Sequence, residues 1–214
     1  MTEYVVGVLI AFVIVLVSMI FHELAHGLVA YWLGDDTAKS EGRLTLNPTK
    51  HLDPFLSILL PLIMFISGGP VFGGAKPVPV NSRNLKHGVW GMALVAIAGP
   101  LTNFVLALVG FLIGYYTGVF ITGVGIWGEI LADVVTINLG FGVFNLIPIP
   151  PLDGSRVLYA IAPDEVRNVM AQMERWGILV VMFLVVLAPG VISAIMGGAI
   201  NGILEVFYWI VGVR

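Results

Sequence analysis

The segment from Tyr4 to His26 reads YVVGVLIAFVIVLVSMIFHELAH, eighteen uncharged residues up to Phe21 followed by His22-Glu23-Leu24-Ala25-His26. The apolar run has the length of a membrane helix, so two imidazoles and a carboxylate lie where such a helix ordinarily carries none. Each ionisable group costs up to roughly 2.5–3.5 kcal/mol at mid-bilayer on insertion scales, and three in five residues therefore call for a compensating partner. On a helix rising about 1.5 Å per residue, positions i and i+4 share a face, so His22 and His26 can reach one ion with Glu23 beside them. The spacing is the H-E-x-x-H zinc pattern. Neutral imidazole suits zinc, and a neighbouring carboxylate can take the proton of a metal-bound water whose pKa is lowered to about 7. The reading is a metal-dependent hydrolase within a membrane. The plain alternative, a buried His bonded to a carbonyl with Glu23 paired to an imidazole, does not explain all three groups together.

Composition agrees with a membrane setting. Of 214 residues, 58% are hydrophobic and 11% charged, against about 25% charged in an ordinary soluble domain. The length suits one compact domain over residues 1–214, and the absence of Cys excludes thiolate zinc ligands and disulfides. A net charge of −3 offers no footprint for nucleic acid. No Lys or Arg occurs in residues 1–3, which argues against a cleaved signal peptide.

The expected fold is an all-α polytopic membrane protein with about five to six transmembrane or re-entrant helices. Apolar runs predict helices at Tyr4 to Leu33, 88 to 117 and 126 to 149, and a hairpin over 176 to 213 broken at Ala188-Pro189-Gly190. The run from Pro54 to Ser67 has fourteen residues, below the ~17–25 of a span, and reads as re-entrant. Lys39, Arg43 and Lys50 precede that run, Lys76, Arg83 and Lys86 follow it, and Arg156, Arg167 and Arg175 follow the 126 to 149 helix. The positive-inside rule then places these loops in the cytosol and the amino terminus outside. His22 and His26 would lie roughly 10–16 Å below the cytosolic end of the first helix.

A catalytic zinc ordinarily takes three protein ligands and keeps one position open. Glu129 and Asp133 form an E-x-x-x-D pair similar to the third-ligand helix of soluble thermolysin-like proteases. They start the 126 to 149 helix at its outer end, about twenty residues or roughly 30 Å from the cytosolic side. Asp153 follows the same helix, just past Pro148, Pro150 and Pro151, where irregular backbone can line a wet cavity and turn back to the ion. His51 and His87 are further candidates.

Two signatures in this order, His22-Glu23-Leu24-Ala25-His26 and Asn145-x-x-Pro148-x-Pro150-x-x-Asp153-Gly154, resemble those of the site-2 proteases, intramembrane zinc metalloproteases that cut membrane-embedded substrates. Ala98-Gly99-Pro100-x-x-Asn103 resembles that family's intervening helix. The resemblance implies one zinc held by His22, His26 and Asp153, with Glu23 as general base. It also implies Asn145 and Asn103 near the site as substrate contacts, Asn145 as a candidate oxyanion partner. A multi-pass protein of the cell membrane is expected, with its site toward the cytosol and a membrane-embedded protein as substrate. Compared with larger relatives, a compact form without a PDZ domain or a span before the His-Glu helix is expected.

Gly73 to Asn81 reads as extended chain whose alternating Pro77 and Pro79 leave the Lys76, Val78 and Val80 donors on one edge. The expectation is a small membrane-associated β-hairpin near residues 71–83, either a protected edge or an edge that pairs with unwound substrate. Gly110, Gly114 and Gly118, and Gly198 with Gly202, make small faces suited to helix packing, with a dimer contact as the alternative. Two other functions compete with the protease, a divalent-metal transporter and a catalytically silent membrane metal-binding protein. A transporter needs successive ligand sites along a path, and a binder has no need of a base beside its ligands.

Overall fold

A computed structural model describes residues 2–59, 74–122 and 125–213. Helix α1 (Thr2–Trp32) runs without a breaker until Gly34, whose φ of 103° ends it, and a short α2 (Thr37–Ser40) follows. One 3₁₀ turn (Pro48–Lys50) and one π turn (Pro54–Leu59) come next, then α3 (Gly88–Tyr116), α4 (Val119–Thr122) and α5 (Ile126–Asn145). Beyond a proline-rich turn come α6 (Asp153–Ile161), α7 (Asp164–Glu174), α8 (Ile178–Leu187) and α9 (Pro189–Ile210).

Helix α3 is the centre of the bundle, packed on α1, α5 and α6. Ala107 and Phe111 of α3, Val135 and Leu139 of α5 and Phe207 of α9 form one buried cluster. Missing side chains bring α3 and α5 together: a Cβ on Gly110 would lie 2.9 Å from Val134, and one on Gly142 would lie 2.3 Å from Phe104. Gly198 and Gly202 meet no atom within 4 Å. The outward faces of α1 and α3 expose Leu9, Phe12, Val13, Val105 and Val109, the complement of a bilayer rather than of water.

Four described helices, α1, α3, α5 and α9, are long and apolar enough to cross a membrane. Helices α7 and α8 meet at 89° and supply a fifth candidate only if taken as one broken span. These bounds follow the apolar runs closely, including the break at Pro189. Most of the 54 to 67 run lies outside the described residues, so its expected re-entry does too.

The β-hairpin expected near residues 71–83 is corrected by the structure. Residues 74–80 are neither helix nor strand, and there is no strand among the described residues. The donors expected to form an edge are directed elsewhere, the Lys76 amide to the His51 carbonyl at 2.8 Å and the Val78 amide to Glu23 Oε2 at 2.7 Å. Prolines on either side of Val78 favour an extended chain while denying it the consecutive donors of a ladder.

Candidate metal centre and active site

His22 and His26 lie one turn apart on α1, and both are buried. Their Nε2 atoms are 3.0 Å from each other and 3.1 and 3.4 Å from Asp153 Oδ2. Asp153 reaches them because α5 ends at Asn145 and the next seven residues double back, with Ile147 and Leu152 buried against Val181 of α8. Asp153 then opens α6, which packs on α3.

The tautomers of both imidazoles follow from their second nitrogens. His26 Nδ1 donates to the Val95 carbonyl at 2.7 Å, and His22 Nδ1 lies 2.6 Å from Asn103 Oδ1. The orientation of the Asn103 amide follows from a chain of bonds: Asn138 Nδ2 donates to the Val134 carbonyl at 2.9 Å, so Asn138 Oδ1 accepts from Asn103 Nδ2, also at 2.9 Å. Asn103 Oδ1 must then accept from His22 Nδ1–H, which in the neutral imidazole leaves the Nε2 lone pair free.

Two Nε2 lone pairs and a carboxylate oxygen thus converge with no proton assigned between them. Buried Asp153 Oδ2 has no hydrogen-bond partner among the described residues. Such a cluster of acceptors is repulsive without a cation, and together the three side chains could hold a metal ion. Gly99 of α3 faces the same point, where a Cβ would lie 2.5 Å from His26 Nε2 and 2.6 Å from His22 Nε2. The donor set and the glycine-lined cradle fit a zinc ion, which takes nitrogen and carboxylate ligands.

Two cavities meet at this cluster. A polar one of about 320 Å³ is lined by His22, Glu23, His26, Asp153, Asn145 and the Pro77–Val78 chain. An apolar cleft of about 460 Å³ lies between α1 and α5, walled by Val15, Met19, Ile137, Phe141 and Phe144. His22, Glu23 and Asn145 line both. Asn145 donates one amide N–H to the Phe141 carbonyl at 3.1 Å, and a second remains on that nitrogen.

Asn103 is placed differently from its expected substrate contact. It is fully buried behind His22, and its amide is engaged at both ends. Glu129 and Asp133 lie in the first two turns of α5, outside the cluster. His51 is buried with Nε2 bonded to the Thr45 carbonyl, and exposed His87 precedes α3. Asn138, which orients the Asn103 amide, carries one usable signal in the sequence, an amide within an apolar span.

The sequence profile described as Peptidase family M50 matches residues 10–126 and 121–188. YwhC of Bacillus subtilis, assigned by name as a zinc metalloprotease, is 42% identical over 202 residues, covering 90% of this chain and 88% of that protein. Rip2 of Mycolicibacterium smegmatis, assigned likewise, is 32% identical over 177 residues, and the match takes in 80% of this chain and 64% of Rip2. MJ0611 of Methanocaldococcus jannaschii, also named as a zinc metalloprotease, is 33% identical over 156 residues, 70% of this chain and 71% of that protein. No solved structure matches the chain. With a profile that covers most of the sequence and a relative of 42% identity along nearly its whole length, the chain belongs to Peptidase family M50.

Proposed function

We propose that the protein is a zinc-dependent intramembrane endopeptidase that hydrolyses peptide bonds of membrane-embedded proteins, with His22, His26 and Asp153 as ligands of one zinc and Glu23 as general base. The observation that carries this reading is the convergence of His22 Nε2, His26 Nε2 and Asp153 Oδ2 beside Glu23, on a helix apolar enough to span a bilayer. Bound there, zinc supplies a Lewis acid that acidifies water and polarises a peptide carbonyl.

The residues divide the remaining work. Asn103 and the Val95 carbonyl each hold one imidazole by its Nδ1–H and so aim both Nε2 atoms at the metal position. Glu23 keeps Oε1 for the reaction while Oε2 is occupied by the Val78 amide. It takes one proton from the attacking water as the new C–O bond forms, then delivers that proton to the amine nitrogen as the C–N bond breaks. The second N–H of Asn145 Nδ2 is placed to donate to the oxygen that gains charge. The cleft between α1 and α5 receives the apolar side chains of the substrate, while the polar cavity admits water. The cell membrane is the proposed location, and the basic loops favour an orientation with this polar cavity toward the cytosol.

A transporter would need further ligand clusters along its path, and the His22–His26–Asp153 group alone qualifies among the described residues. The test is cleavage of single-span reporter proteins in proteoliposomes by wild type and Glu23→Gln at matched zinc content. Cleavage by wild type with a loss of at least about 10²-fold in the variant is expected for removal of a general base. Equal cleavage by both would remove Glu23 from its role.

A further inference from the structure

Arg43 is a buried cation, 6% exposed, and no carboxylate pairs with it among the described residues. Its Nη2 donates to the Lys76 carbonyl at 2.8 Å and to the Pro77 carbonyl at 3.2 Å. A buried charge ordinarily requires an opposite charge as well as hydrogen bonds. The missing counter-charge lies across one peptide group. The Pro77 carbonyl and the Val78 amide belong to the same peptide unit, and the amide end donates to Glu23 Oε2 at 2.7 Å.

The order of groups is therefore guanidinium, carbonyl, amide, carboxylate. A cation at the carbonyl polarises the peptide and strengthens its N–H as a donor to the Glu23 carboxylate at the far end. Other contacts keep this peptide in place. The Lys76 amide is bonded to the His51 carbonyl at 2.8 Å, and the Asn81 amide to Asp35 Oδ2 at 2.7 Å, so the chain is tied on both sides of Val78. Gly27, the residue after the second imidazole, lets it approach α1: a Cβ there would lie 3.0 Å from Val78 and 2.5 Å from Leu44. Val78 itself is 7% exposed.

We infer that Arg43 is a positioning residue for Glu23, holding the Pro77–Val78 peptide so that its amide fixes one oxygen of the carboxylate and leaves the other facing the reaction. The inference rests on the proposed role of Glu23 as the proton-transferring group, but the linkage itself has a readout that needs no substrate.

That readout is amide hydrogen exchange of the full-length protein in detergent, followed over residues 76–80, where Pro77 and Pro79 leave three exchangeable amides, those of Lys76, Val78 and Val80. Exchange at Val78 should be about tenfold faster in Glu23→Ala and in Arg43→Gln, and no faster in the double variant, since one hydrogen bond to a charged group is lost in each. Unchanged exchange in Glu23→Ala, or additive acceleration in the double variant, would overturn the linkage. In the reporter assay at matched zinc content, Arg43→Gln should lower kcat about tenfold with KM unchanged, and Arg43→Lys should recover most of it. A variant that raises KM at constant kcat would assign the Pro77–Val78 segment to substrate binding and overturn the positioning role. Coupled exchange without cleavage by wild type would uphold the linkage and count against the peptidase reading alone.

Discussion

Asn103 decides which nitrogen of His22 is free to bind a cation. Its Oδ1 can accept at His22 Nδ1 because Asn138 takes the opposite end of the amide, so two amides on two helices fix the tautomer of one proposed ligand. Replacing Asn103 with Leu removes the acceptor and strands the Asn138 oxygen. Zinc affinity should fall about 10–100-fold, as for the loss of other partners of metal-bound His, measured by competition with a chelator. Affinity equal to wild type would show that His22 needs no such partner. At this scale the sequence was readable where spacing carries the chemistry: His22 and His26 share a face by helical period alone. It was less readable where a contact is made by backbone, since nothing in a string of letters marks the Val78 amide as the partner of a carboxylate 55 residues earlier.

The stretch from Lys76 to Asn84 shows how a short element is held without a sheet. Residues 74–81 are neither helix nor strand, and a chain without a ladder can direct its amides to side chains instead. At its far end buried Asp35 accepts from Thr37 Oγ1, from the Asn81 and Thr37 amides and from Asn84 Nδ2. Burial alone raises a carboxyl pKa, yet these four bonds outweigh it and hold Asp35 below its ordinary value of 3.8. A lowered folded-state pKa stabilises the protein above the unfolded value, and that contribution is lost as pH falls through the folded value. Asp35→Ala should therefore unfold more easily by about 1–3 kcal/mol at pH 7, the cost of stranding buried donors. The gap should narrow below about pH 4, as followed by thermal unfolding in detergent. A gap independent of pH would mean that packing, not the carboxylate, is responsible. The proposed third ligand belongs to this scale too. Asp153 and the Glu129–Asp133 pair were both chemically suitable, and the turn over residues 146–152 is what brings Asp153 to the two imidazoles.

For the whole molecule, the spans were legible because apolar length is a coarse property that survives ignorance of packing. Apolar runs located α1, α3, α5 and α9, and Pro189 marked the start of the last. Their arrangement was not legible, because a uniformly apolar helix has no stripe to show which face meets a neighbour and which meets lipid. Gly110 and Gly142 settle this for α3 and α5 by admitting Val134 and Phe104. In the resulting bundle, His22 and His26 lie ten and six residues before Trp32, the last residue of α1, about 15 and 9 Å along the helix axis. Hydrolysis should therefore occur within the apolar segment of a substrate, after part of it has been unwound into the cleft. The decisive measurement is the position of the new termini, read by mass spectrometry, when the reconstituted wild-type protein cuts single-span reporters. Termini inside the reporter's apolar segment, absent with Glu23→Gln, are the expected result; cuts confined to the water-exposed flanks would contradict an intramembrane protease.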